Sequence, residues 1–183
     1  MRIPKPHQSN YFPGFLEPHH SSNVEAPLSG ICCNGSVLAF RIATQADVSL
    51  RASMNERLMR DEGNRSRLTQ KSLEPRMSRW LAGDYRAAIF SLDGEPMGYA
   101  LWKPKSDHVH LRQYYVEPAF RRMGYGKAGI ELLMNNVWGE FARVRLEVLV
   151  GNETGLSFWK SIGFEDYCVT MELQMGDDPR QEQ

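Results

Sequence analysis

The residues with the clearest chemical potential form a basic turn that contains two glycines. The turn reads Arg121, Arg122, Met123, Gly124, Tyr125, Gly126, Lys127. It lies between a β-rich run and a helical pattern, and a helix N-terminus presents unpaired N–H groups and the positive end of the helix dipole. Glycine lets a ligand approach the backbone closely, and arginine and lysine add charge that suits phosphate. The turn is therefore a predicted phosphate-binding site.

The pattern of this turn is short, and a glycine turn that caps an ordinary helix is the alternative. The turn has neither the GxGxxG spacing of dinucleotide-binding folds nor the GK[ST] ending of a Walker loop. Its interpretation therefore depends on the elements that surround it.

Before the turn, the patterning predicts a strand, two helices and three strands. Val37 to Ile42 is a short β-rich run, and Thr44 opens a helix with Asp47 in a near capping-box position. A second helix is predicted over 69–81, and Gly83 is its stop signal. The strands are predicted over 85–92, 96–102 and 108–116, and Asp93-Gly94 marks a hairpin between the first two.

After the turn, the patterning predicts a helix over 126–141, a strand over 144–150, a short helix from Asn152 to Ile162 and a last alternating strand over 169–175. Parallel neighbours require a long connection such as the 126–141 helix. The predicted fold is an α/β (α+β) domain, with one mixed central sheet, helices on both faces and the order β-α-α-β-β-β-α-β-α-β.

The 183 residues are enough for one sizeable core, which we assign to residues 37–175. Residues 1–36 are predicted to be an extended or disordered arm, in which His7, His19 and His20 lack an ordered scaffold for a metal, and residues 176–183 a polar tail. Basic and acidic residues balance at 22 each, so neither a nucleic-acid nor a membrane partner is expected. No apolar run is long enough to span a bilayer, and three cysteines without paired spacing indicate a reducing, cytoplasmic setting.

Several segments together resemble the GNAT superfamily of acetyl-CoA-dependent N-acetyltransferases. They are Tyr114-Tyr115-Val116-Glu117-Pro118, RRMGYGKAGIELL over 121–133, Leu146-Glu147-Val148, Asn152, and Phe158-Trp159-Lys160-Ser161-Ile162-Gly163-Phe164. They stand in the family's order and spacing, and the resemblance covers about Val37 to Met175. It implies two parallel strands that splay to form an acyl-CoA cleft.

The resemblance also implies roles for individual residues toward acetyl-CoA. Tyr114, Tyr115 and Val116 would pair with the pantetheine arm, and the turn from Arg121 to Lys127 would hold the pyrophosphate through its amides. Asn152 would contact the pantetheine arm, although a plain helix N-cap is an equally compatible role for this residue. No metal is expected.

Glu147 and His110 are the two candidate catalytic bases. Glu147 resembles the glutamate proposed as base in ribosomal-protein N-terminal acetyltransferases, and the alternative is a strand carboxylate that is solvated or paired with Arg143 or Arg145. His110 lies where histone-type members carry a catalytic glutamate, and a histidine pKa near 6.5 suits a base at neutral pH. A strand histidine without a chemical role is its alternative, and His108 shares its predicted face.

Trp159 departs from the family pattern, because many members carry a tyrosine there as general acid toward the leaving thiolate. An indole N–H has no useful acidity near neutral pH. The acid is therefore absent, replaced or unnecessary; Tyr114 and Tyr115 are nearby alternatives that are also ordinary sheet aromatics. Trp159 is instead expected to pack against the cofactor.

The resemblance predicts an N-acetyltransferase that moves the acetyl group of acetyl-CoA to a primary amine by direct attack in a ternary complex. The alternative is a non-catalytic acyl-CoA-binding regulatory module with the same fold. The acceptor, a small-molecule or protein amine, stays open, as does the choice between monomer and homodimer.

Overall fold

The computed structural model describes residues 29–33, 35–63 and 68–173. These residues form one mixed sheet with its six strands in chain order. The strands are β1 (Ser29–Cys33), β2 (Ser36–Ile42), β3 (Arg86–Leu92), β4 (Glu95–Pro104), β5 (Val109–Val116) and β6 (Val144–Arg145). The helices are α1 (Val48–Asp61), α2 (Gln70–Ala82), α3 (Tyr125–Asn136) and α4 (Glu153–Ser161), with short 3-10 turns at Gln45–Asp47 and Pro118–Phe120.

Strands β1 to β5 are antiparallel neighbours, and only β5 and β6 run parallel. Helices α1 and α2 cover one face of the sheet, where Met54 and Leu58 pack with Ile89 and Leu101. Helix α3 covers the opposite face. The predicted mixed sheet with helices on both faces is therefore confirmed.

The sheet begins earlier than the sequence pattern indicates. Strand β1 lies within the segment predicted to be an arm, and it pairs antiparallel with β2 from Ser29↔Phe40 to Cys33↔Ser36. Its main-chain hydrogen bonds cover the edge that β2 would otherwise expose. His7, His19 and His20 lie outside the described residues.

The local start and turn signals are found where the sequence predicts them. The Asp47 carboxylate accepts the backbone N–H of Thr44 at 2.8 Å, which completes the capping box before α1. Asp93 and Gly94 have φ values of +50° and +89° and form the tight turn between β3 and β4. Gly83 follows the last residue of α2 as its C-cap.

Strand β5 contains a bulge that changes which side chains face each helix layer. Trp102 is opposite Leu111, whereas the preceding Leu101 is opposite Gln113, so Arg112 is an extra residue between two registers. Because alternation restarts at the bulge, Tyr114 packs toward the α3 face, and Tyr115 packs toward the α1 face.

The parallel pair is short. Strands β5 and β6 pair only at Val109↔Val144 and His110↔Arg145. Residues 146–149 are predicted to continue β6, but they have no regular structure. This segment therefore separates from β5. The splay that the family resemblance implies is therefore present.

The last predicted strand is not formed in the part of it that the structure describes. Residues 164–173 have no regular structure, and Val169, Met171 and Leu173 are exposed. Alternation identifies a strand-like pattern, but a strand also requires an edge with which to pair. Within the described ranges, no helix is long and apolar enough to cross a membrane, and no group of side chains is arranged to hold a metal ion.

Candidate active site

A cleft opens where β5 and the chain after β6 separate. Its lining residues come from the end of α1, from β5, from the segment after β6 and from α4. They are Glu62, Leu111, Arg112, Gln113, Tyr114, Leu146, Glu147, Val148, Asn152 and Trp159. The fold therefore brings Tyr114, Glu147, Asn152 and Trp159 together, as the family resemblance implies.

The predicted phosphate turn has the backbone of an anion-binding loop. Gly124 and Arg122 adopt left-handed conformations, with φ values of +86° and +62°. The first helical bond of α3 is donated by Ala128 to the Gly124 carbonyl. Among the described residues, no carbonyl accepts the N–H groups from Arg122 to Lys127, so they remain available to an anion.

Arg121 is held in place by the protein itself. Its Nε donates to the Val116 carbonyl at 2.7 Å, and its guanidinium forms a salt bridge with Asp61 at the end of α1. Its backbone N–H donates to the Pro118 carbonyl. Arg121 therefore anchors the turn to β5 and α1, whereas Arg122 and Lys127 are exposed beside the free amides.

Tyr114 connects the cleft to the turn. Its ring lines the cleft, and its hydroxyl donates to the Gly126 carbonyl at 2.6 Å. Burial raises the pKa of Tyr114, so its proton is firmly held at neutral pH. The close approach of α3 to Tyr114 favours Gly129, because an added Cβ would lie 2.6 Å from the Tyr114 hydroxyl. At Gly126 an added Cβ would lie 3.2 Å from the Phe158 ring, which would have to shift slightly.

Tyr115 points to the opposite face of the sheet. It is buried under α1, and its hydroxyl donates to Glu117 at 3.0 Å. The bulge at Arg112 directs the two neighbouring tyrosines to their respective faces. Tyr115 thus has a packing role, and only its backbone belongs to the strand edge beside the cleft.

Asn152 and Trp159 lie at the two ends of helix α4. The Asn152 side chain accepts the N–H of Gly155 at 2.9 Å, so its N-cap role is real. That bond uses the side-chain oxygen, and the amide NH₂ remains a donor at the cleft. Trp159 packs against Tyr114, Phe158 and Phe164, with ring centroids 4.9–5.6 Å apart.

Glu147 and His110 are close in space. Glu147 is exposed at the cleft, and Arg143 and Arg145 make their salt bridges with Asp107 instead. His110 pairs with Arg145 in the parallel register, and its Nε2 is buried without a partner among the described residues. Burial lowers the His110 pKa, although the nearby Glu147 charge opposes this shift. His110 is therefore neutral at pH 7.

His108 is not an equivalent of His110. It precedes β5 rather than lying on it, and its Nδ1 is 2.7 Å from the Asp107 carboxylate. Asp107 also binds Arg143 and Arg145. His108 thus belongs to an ion-pair network at the start of the parallel strands, away from the residues that line the cleft.

Two cleft residues were missed by the sequence reasoning. Glu62 follows α1, and its pKa is raised by burial and by the neighbouring Asp61. Arg112 is the bulge residue of β5. A signal for the bulge exists in the sequence, since the apolar residues of β5 stand at 109, 111, 114, 115 and 116 and break the two-residue period. No comparable local signal distinguishes Glu62 in its polar segment.

The site therefore combines two chemical elements. Free backbone amides at the turn suit a phosphate-bearing ligand, and the carboxylates of Glu62 and Glu147 suit proton transfer in the cleft. Tyr114 joins the two regions by its ring and hydroxyl.

Solved structures of acetyltransferases share this fold. A predicted acetyltransferase from Clostridium acetobutylicum, solved with acetyl-CoA, matches 75% of this chain and 96% of its own with 22% identity and a TM-score of 0.60. An aminoglycoside N-acetyltransferase, AAC(6')-Iy solved with CoA, matches 80% and 100% with 17% identity and a TM-score of 0.59. A ribosomal-protein-alanine N-acetyltransferase from Brucella melitensis biovar Abortus 2308 matches 75% and 99% with 14% identity and a TM-score of 0.59.

Comparison with curated proteins gives no significant sequence match. The family model of the acetyltransferase (GNAT) family matches residues 52–164, which include most of α1, the free-amide turn, the cleft and α4. Because this match spans more than half of the chain, the protein belongs to the acetyltransferase (GNAT) family.

Proposed function

We propose that this protein is an N-acetyltransferase that transfers the acetyl group of acetyl-CoA to a primary amine. One observation carries the proposal. The free amides of residues 122–127 open beside a cleft that contains two carboxylates, Glu62 and Glu147. The amides suit the pyrophosphate of the cosubstrate, and the carboxylates suit deprotonation of the acceptor amine.

The residues around the cleft match the parts of acetyl-CoA. The amides from Arg122 to Lys127 bind the pyrophosphate, with the exposed Arg122 and Lys127 side chains beside it. The strand edge from Tyr114 to Val116 pairs with the pantetheine amides, as one more strand would. Asn152 donates to the same arm through its free NH₂, and Trp159 packs beside it.

Amide formation requires a neutral amine, and the cleft carboxylates supply the base. A lysine-type amine with a pKa near 10.4 costs about 4.6 kcal/mol to deprotonate at pH 7, whereas an α-amine near 7.8 costs about 1 kcal/mol. Glu147 accepts this proton directly or through one water. Glu62 and His110 are alternative acceptors of the same proton.

The transfer itself balances without any further reactant. The amine nitrogen attacks the thioester carbonyl, and the C–N bond forms as an oxyanion develops, which a backbone N–H at Val116 stabilises. The C–S bond then breaks, and the CoA thiolate leaves and takes up a proton. With a thiol pKa near 8.5, this thiolate is a tolerable leaving group, so the reaction proceeds without a tyrosine at position 159.

A regulatory module that binds acyl-CoA without turnover is the second candidate. The observation in its favour is Trp159, together with the engagement of the Tyr114 hydroxyl by Gly126. Neither side chain offers a free acid at the sulfur.

The test combines thermal shift with release of free CoA thiol. With acetyl-CoA, the melting temperature rises; with acetyl-CoA and a panel of amines, free thiol and acetylated amine appear in equal amounts. A thermal shift without thiol release from any amine supports the binding module instead. Absence of both contradicts the acetyl-CoA assignment.

A further inference from the structure

Arg51 is a buried charge without a carboxylate partner. Its exposed fraction is 0%, and its Nε and one terminal nitrogen lack a hydrogen-bond partner among the described residues. The other terminal nitrogen is 3.7 Å from the Met77 sulfur, and the guanidinium lies over the Tyr99 ring at 5.7 Å. Burial lowers the pKa of Arg51, and Tyr99 and the Asp47 carboxylate oppose this shift only in part, so the charge is costly at this position.

Two more arginines stand without carboxylate partners around Trp80. The guanidinium carbons of Arg76 and Arg112 are each 5.0 Å from the centroid of the Trp80 ring. Arg76 donates to the Asn55 side chain at 3.3 Å, one turn along α1 from Arg51, and its Nε has no partner. Arg112 is exposed and also lines the cleft. We call Arg51, Arg76 and Arg112 the arginine cluster.

Four other arginines, on β2, on α1 and at the turn before α3, differ because each has a carboxylate partner. The pairs are Arg41–Asp47, Arg57–Glu117, Arg60–Glu56 and Arg121–Asp61. Within the described ranges, no salt bridge involves a member of the arginine cluster. The cleft carboxylate Glu62 has its pKa raised by burial and by Asp61, and no arginine of the cluster lowers it. The three guanidinium groups of the cluster therefore have no carboxylate in direct contact among the described residues.

The arginine cluster adjoins the cleft through Arg112, which is one of the lining residues. The cluster belongs to α1, α2 and β5, on the face opposite α3. Arg112 lies beside both the cleft and Trp80, because it is the extra residue of the β-bulge and does not follow the regular alternation of β5. An acceptor that extends from Glu147 past Arg112 therefore meets Trp80 and Arg76.

We propose, on the basis of the proposed function, that the acceptor is a small amine that also carries a carboxylate. The carboxylate binds at Arg112 and Arg76 above the Trp80 ring, and the buried Arg51 adds positive potential behind them. The amine of the same molecule then points into the cleft toward Glu147. Arginine is suited to this role, since its planar fork binds a carboxylate through two hydrogen bonds.

A polycationic acceptor does not suit this surface, because like charges without intervening carboxylates repel each other. An amine whose only charge is its ammonium gains nothing from the cluster. An aminoglycoside, which is polycationic, is therefore not the expected acceptor of this protein.

The experiment compares matched amines that differ in one carboxylate. Lysine, phenylalanine and histidine are tested against cadaverine, phenethylamine and histamine, and against the three amino-acid amides. Binding is measured by calorimetry in the presence of CoA, and kcat/KM by thiol release, corrected for the free-amine fraction. At least one carboxylate-bearing probe is expected to exceed both counterparts about tenfold in affinity or in kcat/KM, which is the typical effect of a charge-assisted hydrogen bond.

Variants assign the preference to the cluster. Arg76→Gln and Arg112→Gln are each expected to reduce this preference to within about threefold, and Arg76→Gln, which lies outside the cleft lining, leaves acetyl-CoA affinity unchanged. Arg79→Gln, an exposed arginine on the same helix, is the matched control and keeps the preference. Arg51 is not substituted, since a buried residue also tests folding.

The possible outcomes are distinct. If no carboxylate-bearing probe binds or reacts better than its counterparts, the inference is overturned, whether or not other amines are acetylated. A preference that survives both variants overturns the assignment to the cluster. Failure of acetyl-CoA itself to bind contradicts the proposed function, and calorimetry with acetyl-CoA alone measures that separately.

Discussion

Glu147 carries the proton transfer in our proposal, and its position supports this. It is exposed at the cleft near His110, while the neighbouring arginines bind Asp107. Sequence reasoning reached Glu147 through a family resemblance; the structure adds Glu62 as a second carboxylate in the same cleft.

Glu147→Gln is expected to lower kcat by about 10²- to 10⁴-fold at pH 7, because the amide cannot accept a proton. The loss should diminish as the pH rises, since free amine then becomes abundant. The measurement is a pH–rate profile. Glu140→Gln, at an exposed loop position, is the control, and Glu62→Gln and His110→Gln are compared. A defect independent of pH would argue against a base at this position.

Trp159 is expected to contribute to binding rather than to acid catalysis. Trp159→Phe keeps an aromatic ring against Tyr114 and Phe158, so kcat should stay within about tenfold while acetyl-CoA binding weakens. Steady-state kinetics separate the two effects. A fall in kcat of about 10³-fold at unchanged KM for acetyl-CoA would show that the indole acts in the transition state.

At the scale of elements, the turn before α3 is the feature that the sequence describes most completely. Helix-terminus physics acts over a few neighbouring residues, so the amides from Arg122 to Lys127 are predictable without tertiary information. The structure adds one detail: the Arg121 side chain is bound to Val116 and Asp61.

Gly124→Trp is expected to abolish acetyl-CoA binding, because nothing lies within 4 Å of an added Cβ and the ring would fill the space before the amides. Gly94→Trp is the control for backbone strain, since Gly94 has a similar φ of +89° in a distant hairpin. Calorimetry measures both. Unchanged affinity in the Gly124 variant would remove the phosphate site.

Gly129→Ala tests how α3 is held against β5. The new Cβ would lie 2.6 Å from the Tyr114 hydroxyl, so that hydroxyl or the helix must move, at a cost of about 1–3 kcal/mol in unfolding free energy. Adding Tyr114→Phe removes the clashing oxygen. Denaturant unfolding of both single variants and the double variant should show less than additive loss. Additive losses would mean that the helix is strained elsewhere.

At the scale of the whole molecule, the extent of the folded domain differs from the sequence-based boundary. Strand β1 adds to the sheet before the predicted start at Val37, through five residue pairs with β2. Removal of residues 1–36 therefore removes a strand.

Truncation distinguishes the predicted start of the domain at Val37 from a start at Ser29, where β1 begins. Deleting residues 1–28 should leave Tm within about 2 °C of the full chain, whereas deleting 1–36 exposes the β2 edge and should lower Tm by more than about 4 °C with unfolding still cooperative. Calorimetry measures both. Equal Tm values for the two truncations would show that β1 contributes no stability.

The sequence by itself determined what short-range physics controls. The capping box at Thr44, the hairpin at Asp93-Gly94, the stop at Gly83 and the free-amide turn all depend on residues close in the chain. The apolar periodicity also predicted most elements, to within a few residues at their ends.

Tertiary structure decided what depends on partners distant in the chain. A strand forms only where an edge accepts it, so β1 pairs with β2, whereas β6 ends at Arg145 and Val169 to Leu173 stay exposed. The gathering of Glu62 and Arg112 with Glu147 has the same origin: the bulge and the splay of two strands determine which side chains meet, and no local pattern contains that information.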